Sequence, residues 1–126
     1  MKKQKILLID DSEIVLVTAR KALEEKGFEV ITAMRAIDAN KYVFCQDQPD
    51  LIILDVMLPM LDGDRKAKML KDNELSRDIP ILLISSKPEP ELQRLVTQCG
   101  ADGFIRKPFA DEQIVAKVQD TLRKKG

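Results

Sequence analysis

The chain contains no histidine, no tryptophan and only two cysteines. Without histidine there can be no Ser-His-Asp triad, no Cys-His pair, no His-built zinc site and no haem held by imidazole. Any chemistry must come from carboxylates, hydroxyls, lysine or a bound metal. An excess of one charge sign is missing too: 21 Lys and Arg face 21 Asp and Glu, a formal net charge of zero. That balance argues against a protein built to grip DNA or RNA, which needs clustered cations against phosphate. No apolar run approaches the ~20 residues of a membrane span, the longest being of the type Ile6-Leu7-Leu8-Ile9. The basic start, Met1-Lys2-Lys3-Gln4-Lys5, is not followed by the long apolar stretch of a signal peptide. Cys45 and Cys99 lie far apart. They read as reduced, buried small apolar residues of a cytoplasmic protein rather than a disulfide framework.

What is present is a regular alternation within 126 residues, a length that suits one domain over residues 1–126. Short apolar runs occur at Ile6-Leu7-Leu8-Ile9, Val30-Ile31-Thr32-Ala33, Leu51-Ile52-Ile53-Leu54, Ile81-Leu82-Leu83-Ile84 and Phe104-Ile105. Each is followed by a segment with helical spacing, as in Val15, Ala19, Ala22 and Leu23 or in Leu92, Leu95, Val96 and Cys99. The segments around Ala36 to Phe44 and Lys66 to Leu70 are less regular but still read as helices. Ser12 is placed to cap the first helix, and Gly27 and Gly100 to end the first and fourth. Five strand–helix units predict an α/β fold, a doubly wound parallel sheet with helices on both faces. The first, third and fourth runs are continuously apolar, as interior strands are. The second and fifth look like edges. This is the flavodoxin-like order 2-1-3-4-5.

The polar residues then fall at strand ends. The first strand ends in Asp10-Asp11, the third in Asp55, the fourth in Ser85-Ser86, and Lys107-Pro108 follows the fifth. In open parallel sheets, ligands bind beyond the carboxyl ends of the strands where strand order reverses. Asp10, Asp11 and Asp55 are therefore expected in one crevice, flanked by Ser85 and Lys107. Three adjacent carboxylates repel one another, and a hard divalent cation relieves that repulsion. Oxygen ligands without Cys or His favour Mg²⁺. Metal, lysine and hydroxyl together suit phosphoryl transfer, with Asp55 as the acceptor carboxylate. Asp62 and Gly63 read as plain turn residues, Ser86 as an N-cap, and Met57, Met60 and Met69 as packing. Pro88-Glu89-Pro90 reads as a stiffened loop before the fourth helix.

At these positions the chain resembles the receiver domain of two-component response regulators. The resemblance rests on Ile9-Asp10-Asp11-Ser12, the segment from Leu54-Asp55 to Asp62-Gly63, Ser85-Ser86, and Gly100 through Lys107-Pro108-Phe109, and it covers residues 4–123. It implies that Asp55 is the phosphoacceptor and that Asp10, Asp11, Asp55 and the backbone carbonyl of Met57 hold Mg²⁺. It further implies that Lys107, next to a cis proline bond, binds a phosphoryl oxygen, and that Ser85 and Phe104 are the switch residues. Phe104 stands where the family often has Tyr, so no partner contact can use a hydroxyl there.

The implied function is a signalling switch. A partner sensor histidine kinase or histidine phosphotransfer protein supplies the phosphoryl group, and a downstream protein reads the surface of the fourth helix, fifth strand and fifth helix. Arg94, Gln98, Arg106, Gln113 and Lys117 are the exposed candidates on that surface. No direct nucleic-acid contact and no membrane insertion are implied. The chain would assist only its own phosphorylation and dephosphorylation. It would be a stand-alone receiver or a piece of a larger protein. A relay that passes phosphate to a second histidine domain stays open. A Mg²⁺-dependent phosphatase would need a second Asp two residues after the nucleophile, where this chain has Met57. A flavin-binding electron carrier would need a Gly/Ser/Thr-rich phosphate loop after the first strand, which is lacking.

Overall fold

The computed structural model describes residues 2–125. Five strands alternate with helical segments: β1 (Lys5–Ile9), α1 (Glu13–Glu25), β2 (Glu29–Ala33), α2 (Asn40–Val43), β3 (Leu51–Asp55), α3 (Gly63–Lys71), β4 (Ile81–Ser85), α4 (Glu89–Cys99), β5 (Gly103–Arg106) and α5 (Asp111–Lys125). All neighbouring strands pair in parallel, in the order β2-β1-β3-β4-β5. This is the order expected from the apolar runs.

Residues 51 to 54 of β3 are fully buried, and their alternation divides the core in two. Ile52 and Leu54 join Leu7, Ile9 and Leu83 on the face covered by α2, α3 and α4. Leu51 and Ile53 join Ile6, Leu8 and Ile84 on the face covered by α1 and α5. A strand buried on both faces can contain no alternation of polar and apolar residues, which is why these runs are continuous. β2 and β5 are the edges, and both carry exposed residues at Glu29 and Arg106.

Local chemistry sets the helix ends. Ser12 Oγ accepts the Val15 N–H at the start of α1. Gly27 and Gly100 take φ of +91° and +81°, the left-handed conformation that ends a helix cheaply only at glycine. α2 is the weak element: a 3-10 turn over Ala36–Ala39 leads into a single α-helical turn. The expected helix from Ala36 to Phe44 thus forms in two short pieces.

Other expectations are corrected. α4 is capped by Pro88, not Ser86, and Pro90 lies within its first turn, where a missing N–H costs nothing. Cys45 is exposed because it follows α2 in the loop to β3, whereas Cys99 is buried; both are free thiols. Two lysines are buried. Lys5 opens β1 and ion-pairs with Asp47 at 2.5 Å, and Lys66 of α3 reaches Asn40 Oδ1 at 2.5 Å. Burial lowers the Lys66 pKa. Among the described residues, no helix is long and apolar enough to cross a membrane.

Closure of both faces of β3 has a measurable consequence. Ile52→Ala and Ile53→Ala should each lower unfolding free energy in urea by about 2–5 kcal/mol. Ile14→Ala, at an exposed site on α1, should stay within about 0.5 kcal/mol. A cost near that of Ile14 at either strand position would mean that one face of β3 is not closed.

Candidate functional site

Three strands end at the carboxyl edge of the sheet, and the same small turn ends each. Oδ1 of Asp10, after β1, accepts the Ser12 N–H at 2.9 Å. Oδ1 of Asp55, the last residue of β3, accepts the Met57 N–H at 3.1 Å. Oγ of Ser85, the last residue of β4, accepts the Lys87 N–H at 3.1 Å. Such turns from residue i to i+2 satisfy a loop amide and stop the ladder. Each side chain keeps one group in reserve: Oδ2 of Asp10, Oδ2 of Asp55 and the hydroxyl proton of Ser85.

All three side chains are buried, and Asp11 stands exposed beside Asp10. Lys107 enters from the β5–α5 connection. Its Nζ lies 2.8 Å from Asp10 Oδ2 and 3.4 Å from Asp55 Oδ2. Its backbone N–H donates to Ser85 O at 2.7 Å, and the Lys107–Pro108 bond is cis. The three carboxylates expected in one crevice meet there, Lys107 flanks them as expected, and Ser85 ends the strand next to that of Asp55. Met57 enters through its backbone. Its side chain is exposed, as are those of Met60 and Met69; this corrects their reading as packing. Met60 has φ of +70° and sits in a tight turn closed by Leu61 N–H to Pro59 O at 2.9 Å. Phe104 lies on β5, half-buried against the α3–α4 side of the core.

The electrostatics are dominated by one cation among three carboxylates. Burial, then the negative charge of Asp10, raises the Asp55 pKa from 3.8 to about 6. The Met57 N–H and Lys107 act the other way without cancelling it. At Lys107, burial disfavours the charge, but Asp10 and Asp55 outweigh it and hold its pKa above the usual lysine value. Asp10 Oδ2 is buried and makes no directional hydrogen bond; the 2.8 Å approach of Lys107 is a charge contact. One carboxylate oxygen from each of Asp10, Asp11 and Asp55 lies within 4.8 Å of the others. An oxygen-only donor set of three carboxylates against a single ammonium, with surplus negative charge, fits a hard divalent cation such as Mg²⁺.

Gly63 matters more than its turn-like sequence suggested. Its N–H donates to Val56 O at 2.9 Å, which brings α3 hard against the end of β3. A Cβ there would sit 1.8 Å from the backbone oxygen of Asp55. Asp-Gly is a common turn signal, so nothing local distinguishes this close approach.

The family model described as the response regulator receiver domain matches residues 6–119. The alkaline phosphatase synthesis transcriptional regulatory protein PhoP of Bacillus subtilis is 39% identical over 121 residues, 96% of this chain and 49% of PhoP. The chain thus spans about half the length of the first curated relatives it matches. Protein PilG of Pseudomonas aeruginosa is 31% identical over 118 residues, 91% of this chain and 84% of PilG. Among solved structures, the chemotaxis response regulator CheY4 of Vibrio cholerae superposes with a TM-score of 0.88 at 28% identity, covering 95% of this chain and 99% of CheY4.

Two outcomes follow from this geometry. Gly63→Ala should displace the loop after β3 and lower stability by about 2 kcal/mol or more, read by urea unfolding; an unchanged midpoint would contradict the close approach. For Asp55, a folded-state pKa near 6 against 3.8 means the folded protein holds the extra proton between those values. Its contribution to stability is full below the unfolded pKa and is lost as pH rises through about 6. Metal-free Asp55→Asn should therefore be more stable than the parent at pH 7.5, by about 1–3 kcal/mol, and its pH profile flatter in that window. A less stable Asn variant would show that Lys107 outweighs burial.

Proposed function

The chain belongs to the response regulator receiver family, and we propose that it is a phosphoacceptor switch in which Asp55 takes a phosphoryl group from a histidine of a partner. The observation that carries this reading is the Lys107 ammonium in contact with both Asp10 and Asp55. Oδ2 of Asp55 attacks phosphorus, the P–N bond to the partner's imidazole breaks, and the imidazole keeps the electron pair and takes a proton from water. With a pKa near 6, Asp55 is mostly ionised at pH 7 and can act as nucleophile. Lys107 already faces Asp55 Oδ2, where it can hold a transferred oxygen, and the unused proton of Ser85 can donate to another. Mg²⁺, held by Asp10, Asp11, Asp55 and the backbone carbonyl of Met57, would offset the charge of the carboxylates and the phosphoryl oxygens.

The added charge on Asp55 draws Ser85 inward and lets the Phe104 ring turn in behind it. Phe104 lines a pocket of about 450 Å³ with Glu89, Arg106, Gln113 and Lys117 on the α4–β5–α5 surface, where a downstream protein would read the change. Arg94, Gln98, Arg106 and Gln113 are exposed there, while Lys117 is half-buried.

The kinase or phosphotransfer partner has a separate place to bind. Ile14 and Val17 are 80% and 69% exposed on α1. A cleft lined by Val15, Thr18, Pro108 and Phe109 opens beside Lys107. Apolar side chains of a partner laid there would present its histidine to Asp55. Both thiols are free, which accords with a cytoplasmic setting. Met57 offers no acid or amide to place a hydrolytic water, so unassisted loss of the phosphoryl group is slow, and turnover of small phosphate esters is not expected.

With acetyl phosphate and Mg²⁺, the parent should form an acyl phosphate and Asp55→Asn should form none, read by intact mass; equal labelling of the variant would overturn the assignment. Ile14→Glu should slow transfer from a cognate kinase by roughly tenfold while labelling by acetyl phosphate stays at the parental rate. Equal losses with both donors would remove α1 as the docking site.

A further inference from the structure

The loop that follows Ser85 is tied to β5 at two points. The Lys107 N–H donates to Ser85 O at 2.7 Å. One residue earlier, Nε of Arg106 donates to Lys87 O at 3.1 Å. Ser85 and Arg106 are register partners in the β4–β5 ladder, so the guanidinium reaches from the end of the edge strand over the turn that β4 makes. That turn is itself closed by the Lys87 N–H on Ser85 Oγ. Lys87 is thus held at both of its backbone polar groups: its N–H by Ser85 and its C=O by Arg106. Its side chain meets Glu91 of α4 at 3.3 Å.

This linkage constrains Ser85. If its hydroxyl oxygen moves toward a group on Asp55, the Lys87 amide that donates to it must follow or lose its acceptor. If the amide follows, Lys87 O moves with it and strains the Arg106 contact; if Arg106 holds Lys87 in place, the shift of Ser85 costs the amide its acceptor. The donor of this bond is charged, which strengthens it over a neutral one, and its 3.1 Å length depends on where the loop holds Lys87 O.

We propose that Arg106 is a positioning residue that clamps Lys87 and so holds the β4–α4 loop, with Ser85, in its resting arrangement. The proposal rests on the reading of Asp55 as phosphoacceptor and adds to it a residue that sets how readily the chain switches. Loss of the clamp biases the chain toward the switched arrangement before any phosphoryl group arrives. A minor state populated at about 1% rises to about 10% when a tenfold bias is removed.

Amide NMR of the whole chain tests this. The parent is recorded with and without acetyl phosphate and Mg²⁺, which defines a path for the Ser85, Lys87 and Phe104 amide signals. Unphosphorylated Arg106→Met keeps an unbranched stem but loses the donor. Its signals should move along that path by about a tenth of its length. Arg106→Lys, which keeps a donor, should move them less. A merely structural disturbance would displace the signals off the path. No displacement, an off-path displacement, or an equal one in Arg106→Lys would overturn the clamp. A parent that takes no phosphoryl group would remove the switch reading and the clamp with it, whereas a phosphorylated parent with an unmoved Arg106→Met removes the clamp alone.

Discussion

Two buried carboxylates, Asp10 and Asp55, share one ammonium, that of Lys107. The arrangement leaves more negative than positive charge in a place with little water, and the raised pKa of Asp55 is its direct sign. Buried charge is tolerated only when something nearby answers it. Here the answer is partial, and the unmet remainder is what gives the crevice its chemistry. Asp11, exposed at the rim, adds a third carboxylate that no fold requirement explains.

The rest of the molecule holds that imbalance in place. β1, β3 and β4 are buried along their length, and their apolar runs give way to a side chain with an oxygen at Asp10 just after β1 and at the last residues of β3 and β4, Asp55 and Ser85. That oxygen ends the strand by accepting the amide two residues on. One small set of turns therefore turns the chain out of the sheet, and at Asp10 and Asp55 it leaves a second oxygen facing Lys107. Gly63 lets α3 press against the carbonyl of Asp55, which fixes the far side of the crevice. The β5–α5 connection delivers Lys107 from the opposite side. The net charge of zero conceals this local separation of charge.

The sheet order and the meeting of Asp10, Asp11 and Asp55 beside Lys107 were legible from sequence for one reason: continuous apolar runs mark buried parallel strands, and polar residues at their ends stand out against them. Edge strands were legible from Glu29, Thr32 and the shortness of the fifth run. What escaped depends on neighbours distant in sequence. Lys5 and Lys66 are buried because Asp47 and Asn40 wait for their ammonium groups. Cys45 is exposed because α2 unwinds before reaching it. Met57, Met60 and Met69 point outward where apolar composition suggested a core, and the tight turn at Met60 has no glycine to announce it. Pro88 displaced Ser86 as the start of α4 because a proline-rich entry supplies helical φ without needing a cap side chain. The tie between Arg106 and Lys87 joins a side chain to a backbone oxygen, a contact that leaves no trace in residue type.

The account stands or falls on whether the charge imbalance is a metal site. Asp11 is the residue to ask, since it is exposed and lies outside the Asp10–Lys107–Asp55 pairing, so replacing it leaves that pairing intact. Calorimetric titration with Mg²⁺ should show a single site in the parent. In Asp11→Asn the affinity should fall by roughly tenfold or more while thermal stability without metal does not fall. No heat of binding in the parent, or the same affinity in the variant, would contradict the account.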